Sequence, residues 1–319
     1  MRALEAPSLD EIRAARERIA GHAIRTPLVR FELEDAPAAI WLKLENLQPI
    51  GSFKLRGSGN AIALQPREAL ARGVYTASAG NMAQGLAWHA RRLGIPCTVV
   101  VPEHAPKTKI AAIERFGAKI VRIPFEDWWR VIETHHHPGI DATFIHPVSD
   151  PAVIAGNGTV GLEIFEDLPE VDTILVSYGG GALSSGIAAA LSALKPGTKV
   201  YACEVSTAAP FAASLAAGHP VSVDYVPSFI DGIGGRTMLD EMWPLASKLL
   251  AGSIVVTPQE AAAALRLMVE RNHVVAEGAG AVSVAAALTG KAGGGTIACV
   301  VSGGNIDLIK LAAILTGEV

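Results

Sequence analysis

Short apolar runs of β character alternate with longer alanine-rich helical stretches through most of this 319-residue chain, and that alternation constrains the fold more than any other feature. Val74-Tyr75-Thr76-Ala77 leads into a helix through Arg91, and Thr98 to Val101 leads into one from Pro106 to Phe116. Lys119 to Ile123 and Thr173 to Ser177 repeat the strand character. Runs that are apolar at nearly every position have no solvent face, so they predict parallel sheet covered by helices on both sides. Helix starts are marked independently. Ser8 with Glu11 makes a capping box that opens a helix towards Gly21, and Thr257-Pro258-Gln259-Glu260 puts a threonine N-cap before proline at the first helical position. In open parallel sheets the ligand lies beyond the carboxyl ends of the strands. The strand-to-helix turns are therefore where chemistry is expected.

Half of the residues are hydrophobic and 18% are charged, which supplies a large core, and the length fits two domains or one large one. The formal net charge of −4, without a basic stripe, argues against a nucleic-acid surface. The N-terminus is charged and lacks a hydrophobic signal core, and no apolar run reaches membrane-spanning length. These features predict a cytoplasmic protein with no membrane partner. Cys97, Cys203 and Cys299 each lie in or beside a β-type run without metal-ligand spacing, and read as buried inert thiols. In His135-His136-His137-Pro138-Gly139, adjacent histidines cannot all face one ion and no carboxylate or thiol is spaced nearby, so a solvated helix end is expected. Trp128-Trp129 reads as packing.

Four segments carry chemistry. Lys54 sits in Gly51-Ser52-Phe53-Lys54-Leu55-Arg56-Gly57, after the extended run Trp41 to Glu45. Desolvation lowers a lysine pKa, and a neutral amine attacks a carbonyl such as the aldehyde of pyridoxal phosphate. Taken alone, the heptapeptide fits a partly buried structural lysine equally well. Tyr178-Gly179-Gly180-Gly181-Ala182-Leu183-Ser184-Ser185-Gly186 follows a strand and precedes a helix. Consecutive glycines let backbone N–H groups converge on one anion, with the helix N-terminus adding partial positive charge. This is a phosphate cup, and it matches neither a Walker loop nor the dinucleotide fingerprint. Ser78-Ala79-Gly80-Asn81-Met82 is also a strand-to-helix turn, either a carboxylate cradle or a simple serine N-cap. Val300-Val301-Ser302-Gly303-Gly304-Asn305 ends the last strong strand, where Ser302 can reach a heteroaromatic nitrogen or the glycines merely turn the chain.

Together and in this order, these segments resemble the fold-type II (tryptophan synthase β-like) pyridoxal-phosphate enzymes, in particular the serine/threonine dehydratase (threonine ammonia-lyase) and serine racemase family. The likeness runs from Ile24-Arg25-Thr26-Pro27-Leu28 to Asn305, with Gly156-Asn157-Gly158-Thr159 and Glu277-Gly278-Ala279-Gly280 as further matches. It implies two open, twisted, mostly parallel sheets with helices on both faces. A small mobile domain at 73–149 would be inserted into a large cofactor domain formed by 1–72 and 150–319. It implies that Lys54 binds the cofactor aldehyde as an imine and later removes the Cα proton, and that Phe53 packs beside the cofactor. Asn81 would face the ring hydroxyl, Gly179, Gly180, Gly181, Ala182 and Leu183 would cradle the phosphate, and Ser302 would face the pyridine nitrogen. Ser78, Ala79, Gly80, Asn81 and Met82 would form the loop that receives the substrate. The activity implied is elimination of water from an L-3-hydroxy amino acid, giving a 2-oxo acid and ammonia. β-Replacement and racemisation are the alternatives within the family, and a homodimer is implied.

The chain also departs from the family. Relatives carry Ser-Ser-Gly-Asn-His, whereas here the second serine is Ala79 and the histidine is Met82. Alanine cannot relay a proton, so racemisation is disfavoured. The less polar loop suggests a bulkier β-substituent, such as the aryl group of 3-phenylserine. Relatives that bind a divalent ion use a Glu and an Asp near Glu204 to Pro210. Glu204 matches but Pro210 stands where the Asp is expected, so no metal is predicted. Asp231-Gly232-Ile233-Gly234-Gly235 falls near the pocket with no role assigned. The chain stops soon after the last motif, so no C-terminal regulatory domain and no feedback inhibition are expected.

Overall fold

The computed structural model describes residues 4–318. Its strands are β1 (Leu28–Arg30), β2 (Ala39–Lys43), β3 (Val74–Ala77), β4 (Cys97–Pro102), β5 (Lys119–Ile123), β6 (Thr143–Phe144), β7 (Thr173–Ser177), β8 (Lys199–Val205), β9 (Gly252–Val256) and β10 (Thr296–Val300). The helices are α1 (Leu9–Ile19), α2 (Lys54–Ala63), α3 (Arg67–Ala71), α4 (Asn81–Leu93), α5 (Lys107–Glu114), α6 (Phe125–Thr134) and α7 (Pro151–Asp167). They continue with α8 (Ala182–Leu194), α9 (Pro210–Ala217), α10 (Trp243–Leu249), α11 (Pro258–Asn272), α12 (Gly278–Leu288) and α13 (Leu308–Thr316). The expected Ser8–Glu11 capping box forms, and the expected N-cap Thr257 makes a second capping box with Glu260.

Two sheets organise the chain. A six-stranded sheet runs β1-β2-β10-β7-β8-β9 and a four-stranded sheet runs β5-β4-β3-β6. Every pair is parallel except β1 with β2. Side chains alternate across each strand, and here both faces are apolar. Ile174, Val176, Ala298 and Val300 meet α7 and α8 through Val153, Ile154, Val160, Ile187 and Leu191. Leu175, Ile297 and Cys299 face the other way, towards Leu265, Met268, Val282 and Val284 of α11 and α12. The strands read as continuous apolar runs because they are buried on both sides. The four-stranded sheet draws only on residues 74–144, and Tyr75, Ala77 and Val100 cover α6 at Val131 and Ile132. Among the described residues no helix is long and apolar enough to cross a membrane.

Several expectations are corrected in detail. The run Trp41 to Glu45 is not all strand: β2 ends at Lys43 and Glu45 opens a short 3-10 turn. The three cysteines, by contrast, are buried and free as expected, and burial pushes the Cys97 thiol up to about 12. His135 is not merely a solvated helix end. It terminates α6 in the left-handed region, with φ 56°, stacks on His146 at 4.3 Å, and places Nε2 3.0 Å from Glu241 Oε1. A carboxylate partner does therefore lie nearby, 106 residues along the chain. The donor atoms of His135, His146 and Glu241 lie within 4.8 Å of one another, a spacing that a metal ion could use, but both His146 ring nitrogens are engaged in hydrogen bonds. His146 Nδ1 accepts from the Val148 and Ser149 amides, so Nε2 carries the proton and donates to Ile132 O at 3.1 Å. Burial drives the His146 pKa down to about 3, which keeps the ring neutral.

Candidate active site

Four strand ends and one helix start converge between the two sheets. Lys54 is the first residue of α2, and the Phe53 amide donates to Ser302 O at 3.1 Å while Ser52 bridges to Gly303. These contacts lay the Lys54 turn along the carboxyl end of β10. Lys54 Nζ donates to Pro147 O at 2.8 Å and lies 5.3 Å from the Phe53 ring centroid. No carboxylate pairs with it among the described residues. Desolvation with no compensating charge brings its pKa down to about 8.

Pro147 leads to Val148, which lies against the turn after β7. A Cβ on Gly180 would fall 2.3 Å from a Val148 methyl, and Gly181 has φ +90° against the Tyr178 ring. Only glycine fits at these two positions. The turn ends at the start of α8, whose first N–H groups have no intrahelical acceptor. The anion cup, comprising Gly179, Gly180, Gly181, Ala182 and Leu183, is thus joined to Lys54 through Pro147 and Val148. Ser302 is 4% exposed, and its hydroxyl makes no hydrogen bond among the described residues.

Across the cleft, α4 begins at Asn81 after the N-cap Gly80, and no side chain caps it. Ser78 Oγ is spent on the Gly80 amide at 3.2 Å. A Cβ on Gly80 would meet nothing within 4 Å, so the start of α4, whose first N–H groups have no intrahelical acceptor, borders open space. Ser78, Ala79 and Gly80 line that opening as half-buried residues. Met82 does not. It is 2% exposed within the core on the inner side of α4, because the first helical turn rotates it away from the cleft.

Sequence reasoning missed four residues that the structure brings here. Pro147 supplies a carbonyl, which leaves no side-chain signal, and Val148 supplies only shape. Glu277, noted as part of a motif without a role, accepts from Asn81 Nδ2 at 2.8 Å. Asn305 Nδ2 donates to Asn81 Oδ1, also at 2.8 Å. Burial raises Glu277 to about 7, with the Asn81 hydrogen bond opposing the rise. Asp231 lies at the mouth, 3.2 Å from both Lys109 Nζ and Lys310 Nζ, while Ile233 rests near Gly179.

Glu204 is occupied otherwise. Its Oε1 accepts from the Phe211 amide at 2.9 Å, and its Oε2 from the Ala212 amide at 2.7 Å and Ser253 Oγ at 2.6 Å. It caps the start of α9, where Pro210 is the first residue.

A desolvated amine, an anion cup, an amide and an unpartnered hydroxyl in one cleft define an enzyme that works through a phosphorylated aromatic aldehyde. The family model for pyridoxal-phosphate dependent enzymes matches residues 19–303, and the chain belongs to that family. It is 40% identical over 314 residues to the L-threonine ammonia-lyase of Thermotoga maritima, covering 97% of this chain and 78% of that one. It is 35% identical over 316 residues to the catabolic L-threonine dehydratase of Escherichia coli K12, covering 96% and 95%. Maize serine racemase superposes with a TM-score of 0.90 at 33% identity over 98% of both chains. Pyridoxal 5'-phosphate is the cofactor, and the residues present fit it. The glycine cup suits its phosphate, and the unpaired amine of Lys54 suits its aldehyde.

Proposed function

We propose that the chain is a pyridoxal-phosphate dependent carbon–oxygen lyase that converts an L-3-hydroxy amino acid of the threonine or serine type into a 2-oxo acid and ammonia. The observation that carries the reading is the Lys54 amine, desolvated, without an acidic partner and bonded to the Pro147 carbonyl, next to Val148 and the glycine cup. The sequence likeness to the two threonine-acting enzymes supports the same choice.

Bound pyridoxal phosphate supplies the electron sink that makes the substrate Cα–H acidic. The protein's own groups do the rest. Amides of the first turn of α4 bind the substrate carboxylate and fix the Cα–H direction. Lys54 Nζ takes the Cα proton, and its lowered pKa makes it a base near neutral pH. Ser302 offers a neutral hydroxyl to the ring nitrogen, so it does not enforce protonation there as a carboxylate would. The proton and the β-hydroxyl leave as water, which is returned when the product enamine hydrolyses to oxo acid and ammonium. Phe53 and Asn81 hold the ring, and segment 73–149 moves as a small domain over the substrate.

The β-substituent is bulkier than that of serine, an aryl group as in threo-3-phenylserine being the leading case. Ala79 in the substrate loop supports this reading, while the burial of Met82 removes one argument for it. Ala79 also counts against racemisation. Because Glu204 is spent on α9, no divalent cation is needed. The protein is a homodimer in this reading, which light scattering checks. The test is steady-state kinetics of 2-oxo acid release from L-serine, L-threonine and threo-3-phenylserine. Release without added thiol supports dehydration over replacement. Turnover of serine equal to or better than that of phenylserine removes the aryl assignment.

A further inference from the structure

The amide of Asn81 is symmetric in shape, and either flip fits the same space, yet only one flip presents an N–H to a ring oxygen. A chain of hydrogen bonds decides between them. It begins at Ile50 O, a backbone carbonyl that can only accept. Asn305 Nδ2 donates to it at 2.8 Å, which fixes the Asn305 amide with its nitrogen inward. The second hydrogen of that nitrogen goes to Asn81, so the atom of Asn81 that faces it is Oδ1, at 2.8 Å. Asn81 Nδ2 is thereby turned to the Glu277 carboxyl, also at 2.8 Å. A flipped Asn81 would set nitrogen against nitrogen at Asn305, and oxygen against oxygen at Glu277 whenever that carboxyl is ionised. One N–H of Asn81 is left free. Asn81 stands on α4, and Glu277 and Asn305 flank α12 and the end of β10, so the chain crosses the cleft. Gly303 leaves room for it, since a Cβ there would fall 2.4 Å from Glu277 Oε1 and 3.3 Å from Asn81 Nδ2.

We propose that Asn305 and Glu277 are a positioning pair for Asn81, locking its amide so that its single free N–H meets the ring oxygen of the cofactor. This rests on the reading that Asn81 faces that oxygen. The pair holds Asn81 of α4 to the residues before α12 and after β10. Glu277 contributes as an acceptor in either protonation state. Its surroundings include Asp231, which disfavours its charge, and Lys109, which favours it.

The experiment uses the reconstituted holoenzyme and reads the visible absorbance band of the bound cofactor and its pH titration, beside kcat and KM. Asn305→Asp replaces the donor by an acceptor and forces the Asn81 flip. The band should move, and its titration midpoint should shift by about one pH unit or more. The kcat should fall about tenfold with KM within about twofold. Glu277→Ala should move the band in the same direction, and Glu277→Gln, which keeps an acceptor, should restore it. In an Asn81→Ala background, Asn305→Asp should add nothing, because both act through one amide. If Asn305→Asp does not fold by circular dichroism of the apoprotein, Asn305→Ser, which retains one donor, takes its place with a smaller shift in the same direction. The proposal is overturned if the folded variant leaves band and titration unchanged, or if its effect persists undiminished without the Asn81 amide. Borohydride labelling of wild-type Lys54 is independent of all these variants, so loss of the cofactor assignment itself would be recognised separately.

Discussion

Replacing Arg56 by methionine tests what holds Lys54 in place. Arg56 is 1% exposed and two residues from Lys54 on α2. Its Nε and Nη2 fork onto the Glu45 carboxylate at 2.8 and 2.7 Å, and Nη1 and Nη2 reach Glu163 at 2.6 and 2.8 Å. Lys43 completes the group with Nζ 2.6 Å from Glu163. Two cations and two anions therefore neutralise each other away from water. Methionine would leave both carboxylates facing one ammonium group. Breaking a buried ion pair from one side costs about 3–5 kcal/mol, and each kcal/mol lowers Tm by about 2–4 °C in a large domain. A fall in Tm of roughly 6–20 °C follows, read by scanning calorimetry on the apoprotein. Burial opposes the Glu45 charge, but the Arg56 guanidinium and its hydrogen bonds override it and hold the carboxyl below its ordinary value. A depressed carboxyl pKa contributes stability above the unfolded value of 4.5, and that contribution is lost as pH falls. The penalty of Arg56→Met should accordingly shrink below that pH. Cofactor content should fall with stability, because the network fixes the helix that starts with Lys54. A Tm within about 1 °C of wild type at neutral pH would refute the reasoning, since even a modest buried-pair term exceeds that.

Other consequences are as direct. Gly180→Ala should lower cofactor affinity by about tenfold or more, measured by fluorescence titration of the apoprotein, because its methyl overlaps Val148 within the cup. The rate of apoenzyme reconstitution should rise with pH and level off above about 8, where Lys54 Nζ is neutral; a midpoint near 10.5 would contradict the desolvated amine. Glu277 has a raised pKa in the folded chain, so its burial favours folding only while protonated. The stability gained by Glu277→Gln over wild type should therefore grow between pH 4.5 and about 7 and stay level above, in paired denaturation curves. A chelator should leave both Tm and activity unchanged, since backbone amides already hold the Glu204 carboxylate.

What could be read from the sequence was what the chain encodes locally. The glycine turn after β7, the two capping boxes and the doubly buried strands each depend on neighbours a few residues apart, and each is legible as a pattern. The glycines at 180 and 181 are required by Val148 and Tyr178, partners that no local pattern reveals. The illegible part is long-range. Asn81, Glu277 and Asn305 are separated by 196 and 224 residues, and no spacing rule links them. Lys43 and Arg56 meet Glu163 across 120 and 107 residues, and a lysine inside an apolar strand gives no sign of its partner. Met82 was misplaced because a helix start was read as an extension of the loop. The carboxylate beside His135 comes from Glu241, 106 residues along the chain, where no local spacing points to it.

The account depends most on the amine at position 54. Reduction of the purified yellow holoenzyme with borohydride, followed by proteolysis and mass spectrometry, should find one pyridoxyl adduct, on Lys54 in the peptide that holds Phe53 and Leu55. An adduct on another lysine, or none from a protein that still releases 2-oxo acid, would contradict it.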